Sequence, residues 1–314
     1  MKKFFLFIFI LIFQINIYGH SMMMPQQKLQ IKDNQIIDSY GNSVEKKAYN
    51  KIIITDPAIV EIFYMLQAED KILAIANPTL SKIYPEDKTD KLTSVGTLRK
   101  PSMEKIISLE PDLVITYPGT TGLPAELKKL NIPVLSTVAL NIEGIYKNIE
   151  FCGIVTGKEE LAQNIISQSK AKMAQYKEQI KDKKKIRGVV LFSSSPMMTF
   201  SDTTLPGEIL QVLGVENIAS QVAGNTPILS NEFILEQNPD FIAGSMAIKD
   251  LEEMKKNIPV LAETRAFKNG NLFMIDSNKI TRGSPRIFQA IDELVEKLST
   301  LNLEDTSKNK EETK

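Results

Sequence analysis

The stretches KKLNIPVL at Lys128–Leu135 and KKNIPVL at Lys255–Leu261 carry the same five residues, NIPVL, each behind a lysine pair. Whether this is chance or duplication decides the fold. Two further pairs argue for duplication. EKIISLEPDLVITY from Glu104 and EFILEQNPDFIAGS from Glu232 both place Ile two residues after the Glu and Pro-Asp seven after it. EIFYMLQAED from Glu61 and EILQVLGVEN from Glu208 both read Glu-Ile, with Leu five and Glu eight positions on. The pairs lie 147, 128 and 126 residues apart, measured from Glu61 to Glu208, Glu104 to Glu232 and Asn131 to Asn257. One match arises easily by chance; three in the same order point to one unit used twice, with loops of different length.

Each unit alternates strand and helix. KIIITDP (Lys51–Pro57) is a β-branched run ending in turn residues, the pattern of a buried strand. AIVEIFYMLQAED follows with helical spacing, which puts Glu61 on the face opposite Ile59, Phe63 and Leu66. KILAIAN reads as a strand, PSMEKIISLEP as a short helix with Pro101 in its first turn, DLVITY as a strand, GLPAELKKLN as a helix and IPVLSTV as a strand. The second half repeats the order with IRGVVLFS, LPGEILQVLG, SNEFILEQNP, DFIAGS, DLEEMKKN, IPVLAE and a closing NLFMID. Such alternation implies parallel sheets covered by helices.

Between the halves, IEGIYKNIEFCGIV forms a shorter helix that breaks at Thr156-Gly157. A run of about 26 residues without Gly or Pro follows, on the order of 40 Å as a helix. Such a rod is a stiff strut. The expected fold is therefore α/β: two Rossmann-like lobes with mainly parallel sheets, joined by a long α-helix, with a ligand cleft between the lobes. In open parallel sheets ligands sit outside the carboxyl ends of the strands.

Composition bounds the rest. The 314 residues suffice for two domains. Apolar residues are 43% and charged residues 24%, as in soluble globular proteins. Basic and acidic residues balance at 38 each, so nothing marks a nucleic-acid surface. The start, MKKFFLFIFILIFQINIYGHS, has a basic n-region at Lys2 and Lys3 and an apolar run from Phe4 to Phe13. That run is too short to cross a bilayer as a helix and fits a secretory signal peptide ending near Gly19. No Cys follows it, which argues against a lipid anchor. The single Cys152, in the apolar run FCGIV, reads as a small buried residue. The expected organisation is a signal peptide at 1–19, an N-terminal segment at 20–50, an N-terminal lobe at 51–141, a helical linker with the backbone helix at 142–185, a C-terminal lobe at 186–300 and a disordered tail at 301–314.

With these elements placed, the chain resembles a periplasmic substrate-binding protein of the helical-backbone class, the family serving ABC importers of iron–siderophores, haem, cobalamin and related chelates. The stretches that carry the resemblance are IIITDPAIVEIFYMLQAEDKILAIAN, SVGTLRKPSMEKIISLEPDLVI, NIEFCGIVTGKEELA, LPGEILQVLGVENIA and ITRGSPRIFQAIDEL, which span most of residues 51–298. The resemblance implies a binding protein with no enzymatic activity and no cofactor of its own. Such a protein would capture a metal chelate, foremost a ferric siderophore, and hand it to an ABC permease. Nickel or cobalt complexes, haem and cobalamin are the alternatives. It also implies a monomer in the periplasm. Glu61 and Glu208, one early in the first helix of each lobe, would be the docking carboxylates that meet permease arginines; such pairs orient partners more than they tighten them.

Cleft candidates come from strand ends and the loops after them: Asp56, Tyr84, Thr97, Arg99, Tyr117 and Thr120 in the first lobe, and Met197, Met198, Met246, Arg282 and Arg286 in the second. Arg99, in VGTLRKP, suits carboxylate, phenolate or catecholate oxygens. Arg282 and Arg286, in TRGSPR, either brace structure or reach the cleft. The three methionines offer a soft wall for a bulky ligand or pack in the core. His20 with Met22–Met24 forms a soft-metal sequence on paper, but at a chain end where disorder is the default. A single His argues against a bare-metal site of several imidazoles and against most His-dependent catalysis. Haem members of the family often place Tyr beside the Arg, where this chain has Thr97-Leu98-Arg99. The rival class, a secreted two-lobed α/β enzyme, needs a phosphate loop. Neither GxGxxG nor a Walker A sequence occurs, and SSSPMM after a strand lacks the glycines.

Overall fold

The computed structural model describes residues 29–79, 81–118, 120, 122–180 and 185–303. The signal-peptide reading, the His20 and Met22–Met24 sequence and nearly all of the expected tail lie outside them.

A small antiparallel sheet leads: β1 (Gln30–Lys32), β2 (Gln35–Ile37) and β3 (Ser43–Glu45). The first lobe follows with β4 (Ile52–Ile54), α1 (Pro57–Met65), β5 (Ile72–Asn77), α2 (Glu86–Thr89), β6 (Ser94–Thr97), β7 (Lys100–Pro101), α3 (Met103–Ser108), β8 (Leu113–Thr116), α4 (Leu123–Lys129) and β9 (Val134–Ser136). Its sheet runs β7-β6-β5-β4-β8-β9, all parallel except the β6–β7 hairpin. Strand β4 is three isoleucines with no exposure, as a central strand covered on both faces requires.

Two connecting helices follow, α5 (Ile142–Thr156) and α6 (Glu159–Ile180). Local sequence sets their ends. The Asn141 side chain caps α5 by accepting from Gly144 N at 2.8 Å, and Gly157, with φ of +71°, ends it in the left-handed conformation that a Cβ disfavours. Over the described residues helix α6 has 22 residues, about 33 Å, and the stretch that would continue the expected rod lies outside them. Cys152 on α5 has no exposure, and burial pushes its thiol well above the ordinary range, in keeping with a packing residue.

The second lobe contains β10 (Ile186–Ser194), β11 (Met197–Thr199), α7 (Leu205–Val212), β12 (Val215–Asn217), α8 (Asn231–Gln237), β13 (Phe241–Gly244), α9 (Leu251–Asn257), α10 (Arg265–Lys268), β14 (Leu272–Met274), α11 (Ser277–Ile280) and α12 (Ile287–Ser299). Its sheet runs β11-β10-β13-β14, with β12 also on β10; only β11 is antiparallel. The molecule is a two-lobed α/β fold with mainly parallel sheets. One apolar core runs from the first lobe through α5 and α6 to the second, from Ile54 and Phe63 through Ile149 and Met173 to Phe241 and Ile291.

The repeat holds in part, and the pentapeptide that suggested it diverges. In the first lobe NIPVL supplies β9, paired with β8. In the second lobe IPVLAE, expected as a strand, is a 3-10 helix over Pro259–Glu263. Two causes separate them. The first copy continues into Ser136-Thr137-Val138, which favour extended chain. The second continues into Ala262-Glu263, and Thr264 then caps α10 by accepting from Phe267 N. The edge of β13 that a second copy would take is occupied by β14. The equivalent of β9 is thus β14, which comes after the pentapeptide.

Candidate functional site

At the carboxyl end of the first sheet, Asp56 follows β4, Tyr117 follows β8 and Thr137 follows β9. Asp56 is 7% exposed and caps α1, accepting from Ala58 N at 2.9 Å and from Thr137 Oγ1 at 3.0 Å. Burial raises its carboxyl to about 6, against the smaller opposing effect of those hydrogen bonds and of Arg282. Asp56, expected in the cleft wall, is therefore a helix cap. The backbone N–H of Tyr117 donates to Thr55 Oγ1 at 2.8 Å, and Tyr117 itself is half-buried. Thr120 Oγ1 donates to Leu98 O at 3.2 Å, which ties the loop after β8 to the β6–β7 turn. That turn carries Thr97 and Arg99, both exposed. Gly96 sits at φ of +117°, with a hypothetical Cβ only 3.1 Å from Lys100 O, so the tight return that presents Arg99 needs glycine. Among the described residues Arg99 has no hydrogen-bond or ion-pair partner.

In the second lobe the methionines part company. Met197 is 7% exposed and packs with Val189, Leu191 and Leu229, so core packing takes it. Met198 is half-buried and bridges Ile228, which is 60% exposed. Met246, just past β13, is 53% exposed with φ of +51°, a backbone state unusual for a side chain of this size. Met198 with Ile228, and separately Met246, offer accessible apolar surface on this lobe. Ile228 carried no signal in the sequence.

Where the lobes meet, the structure corrects several expectations. Glu61 is 1% exposed rather than on an open helix face. Its Oε1 accepts from Arg282 at 2.5 Å and from Arg286 at 3.4 Å, and Oε2 accepts from Ser284 Oγ at 2.6 Å. Arg282 also donates to Lys82 O at 2.7 Å, Ser81 Oγ at 2.9 Å and Asn278 Oδ1 at 2.8 Å. Arg286 lies over the Tyr84 ring, 4.7 Å from its centroid. Arg282, Arg286 and Tyr84 are thus engaged in a latch between α1 of the first lobe and the α11–α12 segment of the second. Glu61 cannot meet a partner without leaving it. Its repeat mate Glu208 is half-buried and accepts from Ile142 N at 2.7 Å, at the start of α5. Both repeat-equivalent carboxylates reach out of their own lobe, Glu61 to the other lobe and Glu208 to the connector. No sequence spacing signals this, because the partners lie 221 and 66 residues away. Among the described residues there is no group of three or more His, Cys, Asp or Glu that could hold a metal ion.

Comparisons with known proteins place the chain by family and fold. A model of the periplasmic binding protein family matches residues 52–279. The vitamin B12-binding protein of Vibrio campbellii is 30% identical over 259 residues, covering 80% of this chain and 90% of its own. An uncharacterized ABC transporter substrate-binding lipoprotein of Bacillus subtilis, YvrC, is 28% identical over 283 residues, 87% of this chain and 88% of its own. The crystal structure of the periplasmic haem-binding protein HutB of Vibrio cholerae superposes with a TM-score of 0.69 at 21% identity, over 79% of this chain and 98% of that one.

Proposed function

The chain belongs to the periplasmic binding protein family, and we propose that it captures a metal chelate, foremost a ferric siderophore, between its lobes and delivers it to the permease of an ABC importer. It is a substrate-binding protein and not an enzyme. Among the described residues no helix is long and apolar enough to cross a membrane. The proposed place of action is the periplasm, as a monomer.

The observation that carries the ligand reading is Arg99. An exposed guanidinium with no partner among the described residues, held on a tight turn at the carboxyl edge of a parallel sheet, suits anionic oxygens on a ligand. Thr97, Tyr117 and Thr120 flank it, and Met198 and Met246 offer soft surface from the other lobe. The test is calorimetry with ferric enterobactin, ferrioxamine B, haemin and cyanocobalamin. Arg99→Ala is expected to weaken binding of the anionic ferric chelate by about 1–3 kcal/mol, the worth of a charged hydrogen bond. Unchanged affinity removes Arg99 from the site. A second reading, a corrinoid cargo, is favoured by the identity to the Vibrio campbellii protein. Binding of cyanocobalamin with no binding of ferric chelates would select it. For permease docking, Glu208 is the proposed carboxylate in the free protein, and Glu61 joins only if the latch opens.

A further inference from the structure

The expected organisation left residues 20–50 without a role, yet part of that segment stands at the rim of the first lobe. The sequence Asp38-Ser39-Tyr40-Gly41-Asn42 joins β2 to β3. Gly41 N donates to Asp38 O at 3.2 Å, and Asp38 N donates to Asn42 O at 2.9 Å. Gly41 has φ of +79°. This is a tight three-residue hairpin turn closed by a left-handed glycine, which puts Tyr40 at its outermost point. The Asp38 carboxylate, 1% exposed, fixes the turn by accepting from Tyr40 N and Asn42 N, both at 2.8 Å, and from Asn42 Nδ2 at 2.6 Å. Its fourth bond decides the placement: Oδ2 accepts from Ser136 N at 2.7 Å, at the carboxyl end of β9. The hairpin tip is therefore pinned to the end of the sheet where a cleft ligand lies.

Tyr40 is 46% exposed, and its hydroxyl has no hydrogen-bond partner among the described residues. Tyr117 directly follows Thr116, which pairs with Ser136 across β8 and β9, so it stands one strand in from the residue that pins the hairpin tip. The loop of Tyr117 is tied in turn to Leu98, the neighbour of Arg99. Tyr40, Tyr117 and Arg99 thus follow one arc along the rim. A buried carboxylate with four donors is far more fixation than an idle surface turn requires, and it holds one large amphipathic ring ready. A backbone fixed before binding leaves only the side chain to be ordered on contact.

We propose that Tyr40 is a ligand-contact residue, and that Tyr40 and Tyr117 together grip the flat aromatic or conjugated face of the chelate, with the β2–β3 hairpin as a lip of the cleft. The inference rests on the chelate-binding reading above and adds to it a ligand class, aryl-bearing or macrocyclic rather than aliphatic. The probes are ferric enterobactin and haemin, which present such faces, and ferrioxamine B, which is aliphatic. Tyr40→Ala is expected to raise the Kd of the aryl or macrocyclic probe by about three- to tenfold. Tyr40→Phe should keep most of the affinity, and Tyr117→Ala should show a loss similar to that of Tyr40→Ala. The thermal midpoint of Tyr40→Ala should match that of the parent, because the ring is exposed. An unchanged Kd for every probe that the parent binds overturns the contact and leaves the chelate reading standing. Parent protein that binds only ferrioxamine B overturns the ligand class. Parent protein that binds no chelate overturns both readings.

Discussion

Replacing Glu61 by Gln tests the latch between the lobes. The change keeps the shape and removes the charge. Glu61 is 1% exposed, and the side chains of Arg282 and Arg286 are 8% and 12% exposed, so neither guanidinium can rehydrate fully where it stands. Removing one member of a buried ion pair costs about 3–5 kcal/mol. Arg282 keeps three other acceptors, Lys82 O, Ser81 Oγ and Asn278 Oδ1, which places the expected loss near the lower end, about 3 kcal/mol. Arg286 is left with Asp276 at 3.7 Å and the Tyr84 ring. The assay is urea unfolding followed by circular dichroism, with the slope expected to stay constant and the midpoint to fall. Arg282→Met should cost a similar amount, and the double variant should fall short of the sum by about 2 kcal/mol. Because the pair is buried, raising the salt should change these values little. A loss for Glu61→Gln below about 1 kcal/mol, the worth of an exposed pair, would refute the latch.

Asp56 gives a pH signature. Its folded carboxyl lies at about 6 against an ordinary 3.8, so its contribution to stability is fully present below about pH 4 and is lost as the pH rises through about 6. Asp56→Asn keeps the cap and should remove that loss, a relative gain of about 3 kcal/mol at pH 7; parallel stability curves for the two proteins between pH 4 and 7 would contradict it. Glu208→Ala should leave chelate affinity unchanged, lower stability by about 1 kcal/mol through the lost bond to Ile142 N, and reduce uptake in cells; normal uptake would exclude Glu208 from docking. Gly207→Ala should destabilise by about 3 kcal/mol or more, since its Cβ would lie 2.1 Å from Ser201 O; a neutral result in urea unfolding would show that the turn before α7 yields.

The sequence by itself determined the alternation of strands and helices, the break at Gly157 and the caps at Asn141, Asp250 and Thr264, because these depend on residues within a turn of one another. It also placed Arg99 on an exposed turn, through the local demand for Gly96. What spacing could not decide was the fate of any group whose partner is far along the chain. The same NIPVL became a strand where an edge was free and a 3-10 helix where β14 had taken the edge. Glu61, read as a docking carboxylate on the outer face of its helix, was buried by a segment more than two hundred residues away. DSYGN is legible as a turn, but only the bond from Ser136 N to Asp38, across 98 residues, sets that turn at the rim of the cleft. Periodicity fixes which face of an element is apolar; what covers the other face depends on contacts that exist only once the chain has folded.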